Sequence, residues 1–179
     1  MKAKFTVEGL RNIRQIGSIA SSSGYLTRKI IKGIDFEKRL NVLELGAGDG
    51  VITKEILNRM SPDSKLYSYE NHAGLAALLE DIRDTRLTIK GECVSNISQL
   101  DDNYFDIVIS SLPLALFNTP FKNKIYENIQ SKLRNTGIFI QYQYSLNDYK
   151  DIEKVFQNCK IDFCLLNLPP AFIYKVKMN

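Results

Sequence analysis

Residues 42–50 read VLELGAGDG: an apolar run that ends on a carboxylate and breaks into three glycines, each separated from the next by one residue. A short apolar run bounded by glycines reads as a buried strand entering a tight turn. Glycine at 46, 48 and 50 lets that turn pass closely and lets its backbone approach a ligand without side-chain interference. The helical pattern that follows offers free N–H groups suited to a carboxylate or phosphate. A dinucleotide fingerprint would place the third glycine three residues after the second. Here the order is E-x-G-x-G-x-G, with Glu44 ahead of the loop.

Working outward, β-rich runs alternate with helical patterns, the mark of an α/β domain with a mainly parallel sheet. Strands are expected at 42–45, 65–70, 86–91, 105–110, 137–144, 161–167 and 171–177, and helices at about 5–20, 25–33, 50–60, 72–82, 119–133 and 147–157. Ser21, Ser22 and Ser23 are placed to cap the second of these helices. Only Leu168, Pro169 and Pro170 separate the last two strands, too few residues for a crossover helix, so that pair should be antiparallel. One domain is expected at 35–179, with residues 1–34 as a helical N-terminal part of it; no repeat or linker marks a second domain.

Further candidates fall in register with the loop. Glu70 closes the second strand twenty residues after Gly50, where a carboxylate can accept both hydroxyls of a ribose; the alternative is a surface glutamate. Gly91, Glu92 and Cys93 follow the third strand. Asp49 lies inside the loop and either neutralises a ligand ammonium or caps the next helix. His72, the only histidine, either starts the next helix, the preferred reading, or edges a bound adenine or ribose. The three cysteines, Cys93, Cys159 and Cys164, match no zinc or disulfide spacing and read as core thiols of a cytoplasmic protein.

These features resemble the class I S-adenosylmethionine-dependent methyltransferases, a Rossmann-like fold of seven strands closed by an antiparallel hairpin. The resemblance implies S-adenosyl-L-methionine as cofactor, its methionine part held by the glycine loop, its ribose by Glu70, and its adenine read at Glu92 and the backbone of Cys93. SSSGYLTRKI (21–30), VLELGAGDGVIT (42–53), SSLPLALF (110–117), FIQYQYS (139–145) and LNLPPAFIYKVK (166–177) are similar to the bacterial phospholipid N-methyltransferases, which methylate phosphatidylethanolamine or related aminolipids. The likeness runs from about Ser21 to Lys177. Asp49 departs from the Thr common at that loop position. Methyltransferases acting on adenine carry Asn or Asp, then a proline turn and an aromatic; here Ser110 and Ser111 precede Pro113, and Leu114 stands where the ring would be, which disfavours an RNA adenine acceptor. Within this resemblance the cofactor-binding set is Ser23, Tyr25, Glu44, Gly46, Gly48, Asp49, Gly50, Glu70, Asn71, Glu92, Cys93 and Ser110. The acceptor side is Tyr25, Ser110, Leu112, Tyr142 and Tyr144.

Methyl transfer to an amine is an in-line displacement that rests on positioning and on somewhere for the amine proton to go. Positive charge moves to nitrogen, which suits the aromatic faces of Tyr142, Tyr144 and Tyr25. Alternation puts Tyr142 and Tyr144 on one face of their strand, where core packing is the competing reading. Pro169 and Pro170 place Asn167 at the acceptor rim, while Arg28 and Lys29 suit either a lipid phosphate or solvent. Through Arg39 the chain carries six more basic than acidic side chains, and the remaining 140 residues two fewer. With Phe5, Leu10, Ile13, Ile16 and Ala20 on one side of the first helix and Lys4, Arg11 and Arg14 opposite, the arm reads as an interfacial helix for an anionic membrane surface; nucleic acid as the polyanion, and docking of the apolar side on the protein's own sheet or another subunit, are the competing readings. Three functions remain open at this level: an aminolipid N-methyltransferase, an RNA adenine methyltransferase, and a cofactor-binding protein acting by interaction.

Overall fold

The computed structural model describes residues 24–178. The expected helix at 5–20 and Ser23 therefore lie outside the described residues. Seven strands form one sheet in the order β3-β2-β1-β4-β5-β7-β6. In chain order the elements are α1 (Gly24–Ile30), β1 (Asn41–Leu45), α2 (Val51–Leu57), β2 (Lys65–Tyr69), α3 (Ala73–Glu80), β3 (Leu87–Lys90), β4 (Phe105–Ser110), α4 (Thr119–Lys132), β5 (Leu133–Gln143), α5 (Tyr149–Phe156), β6 (Lys160–Cys164) and β7 (Ala171–Lys177). Two 3-10 turns, Val94–Gln99 and Leu114–Leu116, complete the list.

Strands β1 to β5 run parallel; β7 pairs antiparallel with both β5 and β6. This is the Rossmann-like methyltransferase architecture expected from the glycine loop and the terminal hairpin. The strand order reverses between β1 and β4, and in open α/β sheets that switch point opens a crevice at the carboxyl ends of the strands. The pairing register sets Tyr69, Leu45, Ser110, Gln141 and Tyr174 abreast across β2, β1, β4, β5 and β7. Everything just beyond that line faces one edge.

Side chains alternate across the sheet and so feed two cores. Leu43, Leu45, Val108 and Phe139 pack on one face with Ile125, Tyr126 and Ile129 of α4 and Ile152 and Phe156 of α5. Val42, Ile107, Ile109, Ile140 and Ile173 pack on the other with Leu26 and Ile30 of α1 and Ile52 and Ile56 of α2. The short helix α1 is held by the opposite end of the described chain: the Lys175 ammonium donates to the carbonyls of Lys29 at 3.1 Å and Lys32 at 3.0 Å. A cation there satisfies carbonyls that the last helical turn leaves open. Lys29 in turn donates to the Phe163 carbonyl.

Some expectations need correction. The strand expected at 161–167 stops at Cys164, and Leu165 to Pro170 form the turn into β7, with a cis Leu168–Pro169 peptide. The strand expected from 137 begins at Leu133, where Leu133 opposite Phe105 extends the parallel ladder past a register shift. The cysteines are not all core thiols: Cys164 is buried, Cys159 half-buried and Cys93 exposed. Among the described residues no helix is long and apolar enough to cross a membrane.

Candidate active site

The three glycines of the loop after β1 all adopt left-handed backbone, with φ of 78°, 63° and 80°, a conformation that costs glycine nothing. Their surroundings differ. A Cβ at Gly46 would stand 3.1 Å from Ser111 Oγ, and one at Gly50 would stand 2.8 Å from Leu79 Cδ2 of α3. At Gly48 the nearest atom would be the Gly46 carbonyl oxygen at 4.0 Å. Gly46 and Gly50 are glycines because the protein packs there; Gly48 borders open space. The loop is pinned from β2, since the amides of Gly46 and Ala47 both donate to the Tyr69 carbonyl, at 2.8 and 3.0 Å.

Glu70 sits beside this loop and is only 3% exposed. Its Oε2 accepts the Gly48 amide at 2.9 Å and its Oε1 the His72 amide at 2.8 Å. The carboxylate thus ties the open part of the loop to the start of α3, whose N-cap is His72, as expected. Glu44 is fully buried, and its Oε2 accepts from Thr53 Oγ1 and Ser68 Oγ, each at 2.7 Å. Its Oε1 is buried without a hydrogen-bond partner among the described residues. Burial pushes the Glu44 carboxyl up to about 6; the two hydroxyl bonds oppose that, and the charges of Glu70 and Asp49 add to it. Asp49 is exposed and meets the Val51 amide at 3.4 Å, too long for a firm cap. Open space at Gly48, a buried carboxylate with an unused oxygen and two further acidic groups fit a cationic amino-acid moiety, the part of the implied cofactor assigned to this loop.

Beyond β3, Glu92 accepts from the Asn96 amide group, and the carbonyl of exposed Cys93 receives the Asn96 backbone N–H at 3.0 Å, opening the 3-10 turn. Asn71, next to Glu70, is exposed.

On the far side of the loop, Ser110 is fully buried and its hydroxyl accepts the Leu112 amide at 3.3 Å. Its neighbour Ser111 was not among the candidates, yet it makes the link to the loop: its amide donates to the Leu45 carbonyl at 2.9 Å, and its hydroxyl to the Gly46 carbonyl. Gln141 was also missed. Fully buried at the line of strand ends, it donates to the Leu112 carbonyl at 3.1 Å and so fixes the turn after β4. A polar residue inside the FIQY stretch is the signal that would have marked it. Tyr142 and Tyr144 share a face, as alternation requires, with ring centroids 6.3 Å apart and nearly perpendicular. Tyr142 packs partly into the core, whereas Tyr144 lies just past β5 and is exposed. Burial of its hydroxyl raises the Tyr144 pKa, and a hydrogen bond with Asn167 opposes the rise. Asn167 is buried and donates to the Pro169 carbonyl at 2.8 Å. Tyr25 and Arg28 of α1 are exposed, near Lys29 and Lys32.

Residues 36–167 match the sequence family described as a methyltransferase domain. The chain is 30% identical over 167 residues to the ornithine lipid N-methyltransferase of Singulisphaera acidiphila, covering 89% of this chain and 86% of that protein. Among solved structures, it resembles a SAM-dependent methyltransferase from Aquifex aeolicus, with a TM-score of 0.69 at 12% identity over 93% of this chain and 98% of that one. It also resembles the 1,6-didemethyltoxoflavin-N1-methyltransferase of Burkholderia thailandensis with bound S-adenosylhomocysteine. There the TM-score is 0.73 at 13% identity, over 99% of this chain and 87% of that one. At such identities the likeness to both structures concerns the fold.

Proposed function

Because this chain belongs to the methyltransferase domain family and is an S-adenosylmethionine-dependent methyltransferase, we propose that its acceptor is the amine of an aminolipid headgroup, of the ornithine-lipid or phosphatidylethanolamine kind. The observation that carries this reading is the 30% identity, along nearly the whole chain, to an enzyme that N-methylates ornithine lipid. The turn after β4 supports it. Leu114, where a base-stacking ring would stand in an adenine methyltransferase, is buried in the core.

In this reading the cofactor, when bound, supplies an electrophilic methyl on a sulfonium. Gly46, Gly48 and Gly50 shape the cradle, Glu44 and Asp49 supply negative charge around its amino-acid end, and Glu70 with Asn71 faces the ribose. Glu70 also fixes the loop, with one N–H on each carboxylate oxygen. Glu92 and Cys93 read the adenine, and Ser23 and Tyr25 close over the cofactor. On the acceptor side Ser110 and Gln141 hold the turn at Leu112 in place, and Tyr142 and Tyr144 face the amine. A tyrosine hydroxyl is protonated at neutral pH, so the role of Tyr144 is to orient the amine and present a π-face to the growing positive charge. The amine gives up its proton to water.

The reaction takes place at the cytoplasmic membrane surface, and the basic interfacial reading of residues 1–20 belongs to the same proposal. Incubation with radiolabelled cofactor and separate lipid and RNA extracts tests it. Label should enter an aminolipid band; label confined to RNA would replace this reading with the nucleic-acid one.

A further inference from the structure

The turn between β6 and β7 has its polarity reversed. Leu165, Leu166 and Leu168 are 67%, 66% and 76% exposed, whereas the one amide side chain among them, Asn167, is buried. Surface loops of water-soluble folds normally do the opposite, and neighbouring exposed apolar side chains mark an interaction site. Position adds to this. Cys164 pairs with Ala171 and Gln143 with Phe172, so the turn projects from the strand ends that carry the glycine loop and Tyr144. Asn167 joins it to Tyr144 directly.

Charge selects the occupant. Beside the turn runs α1, whose Lys29 reaches the carbonyl of Phe163 near the end of β6, with Arg28 close by and Lys32 further off, toward the start of β6. No acidic side chain occurs in α1 or after it before Asp35. A second copy docking on itself would set these cations against their own symmetry mates. An anionic bilayer satisfies both halves of the surface: leucines among the upper acyl carbons, cations among the phosphates. We propose that the Leu165–Leu168 turn, flanked by Arg28 and Lys29, is a wedge that inserts into an anionic membrane and brings the acceptor rim to the headgroup layer. The proposal rests on the aminolipid reading but is tested separately from it.

The measurement is flotation of the full chain with vesicles of phosphatidylglycerol and phosphatidylcholine. Leu165→Ser/Leu166→Ser/Leu168→Ser should partition roughly tenfold or more weaker than the native chain, while its affinity for S-adenosylhomocysteine by calorimetry is unchanged. Arg28→Gln should weaken binding to anionic vesicles alone, and added salt should reproduce its effect. If the triple variant fails to fold, Leu168→Ser, at the most exposed position, takes its place, with a loss of roughly threefold. A folded leucine variant that floats like the native chain overturns the wedge, including the case in which residues 1–23 suffice for binding. So does a native dimer that the leucine change dissociates without altering flotation. Activity on a short-chain, water-dispersed aminolipid separates the two ideas. The leucine variant should retain it. A native chain inactive on every aminolipid would remove the proposed substrate and leave the flotation result to decide the wedge.

Discussion

At the scale of single residues, chemistry that looks uniform in sequence divides once neighbours are known. Three glycines at equal spacing do two jobs. Gly48→Val should abolish measurable cofactor binding by calorimetry and cost about 1–2 kcal/mol of stability for forcing a β-branched residue to positive φ. Gly50→Ala should chiefly destabilise, because its Cβ meets Leu79, and equal effects of the two changes on affinity would refute the division. Glu44 has a proton linkage. Unfolded, its carboxyl titrates near 4.5; folded, it holds its proton to about 6. The folded state therefore loses stability as pH rises through that interval, by about 2 kcal/mol once both values are passed. Glu44→Gln keeps a carbonyl for Thr53 and Ser68, and its stability relative to the native chain should improve by that amount between about pH 4 and about pH 8 in denaturant titrations. A pH-independent difference would refute the linkage. Tyr144→Ala should lower turnover on aminolipid far more than cofactor affinity; equal losses with a lower melting temperature would make it a packing residue. The tight turn at Gly46 and Gly48 and the place of Glu70 at the end of β2 were legible because spacing along and after a strand fixes them. The links made by Ser111 and Gln141 were not, since their partners, Gly46 and Leu112, lie in turns 65 and 29 residues away.

At the scale of elements, the sequence pattern gave every described strand and helix but misjudged ends wherever a neighbour decided them. Leu133 to Thr136 have no strand signal of their own; pairing with Phe105 draws that stretch into β5. Leu165 to Asn167 continue the apolar run of β6 and so read as strand, yet β7 must reverse direction there, and the pairing ends at Cys164 and Ala171. The register of β7 also decides what holds α1, a helix of seven residues, too short to persist alone. Lys175→Met should remove two carbonyl partners, costing about 1–3 kcal/mol. Faster hydrogen exchange in residues 24–30 with unchanged exchange in β1 would locate that loss in the helix, whereas uniform acceleration would refute the assignment.

At the scale of the whole molecule, stability should be graded from the middle of the sheet outward. All five residues of β1 are buried, while four of the five in β6 are exposed. Hydrogen exchange followed by mass spectrometry should find β1 and β4 slowest and the edges β6 and β3 first to open; an edge strand outlasting β1 would contradict the layering. The fold class was legible at this scale because alternation and the glycine loop are local signals. The strand order was not, since inserting β7 between β5 and β6 is a long-range choice. That insertion has a consequence for biosynthesis. On the ribosome β6 emerges before the strand it must pair with, and the outer edge of β5 stays open until β7 follows, an unpaired edge of the kind that recruits other chains. Lys175 also arrives with β7, so the Lys29 and Lys32 carbonyls at the end of α1, made long before, have no cation until then. A nascent chain paused after Leu168 would hold the five parallel strands with α1 packed on them, but with the edge of β5 open and the last carbonyls of α1 unmet.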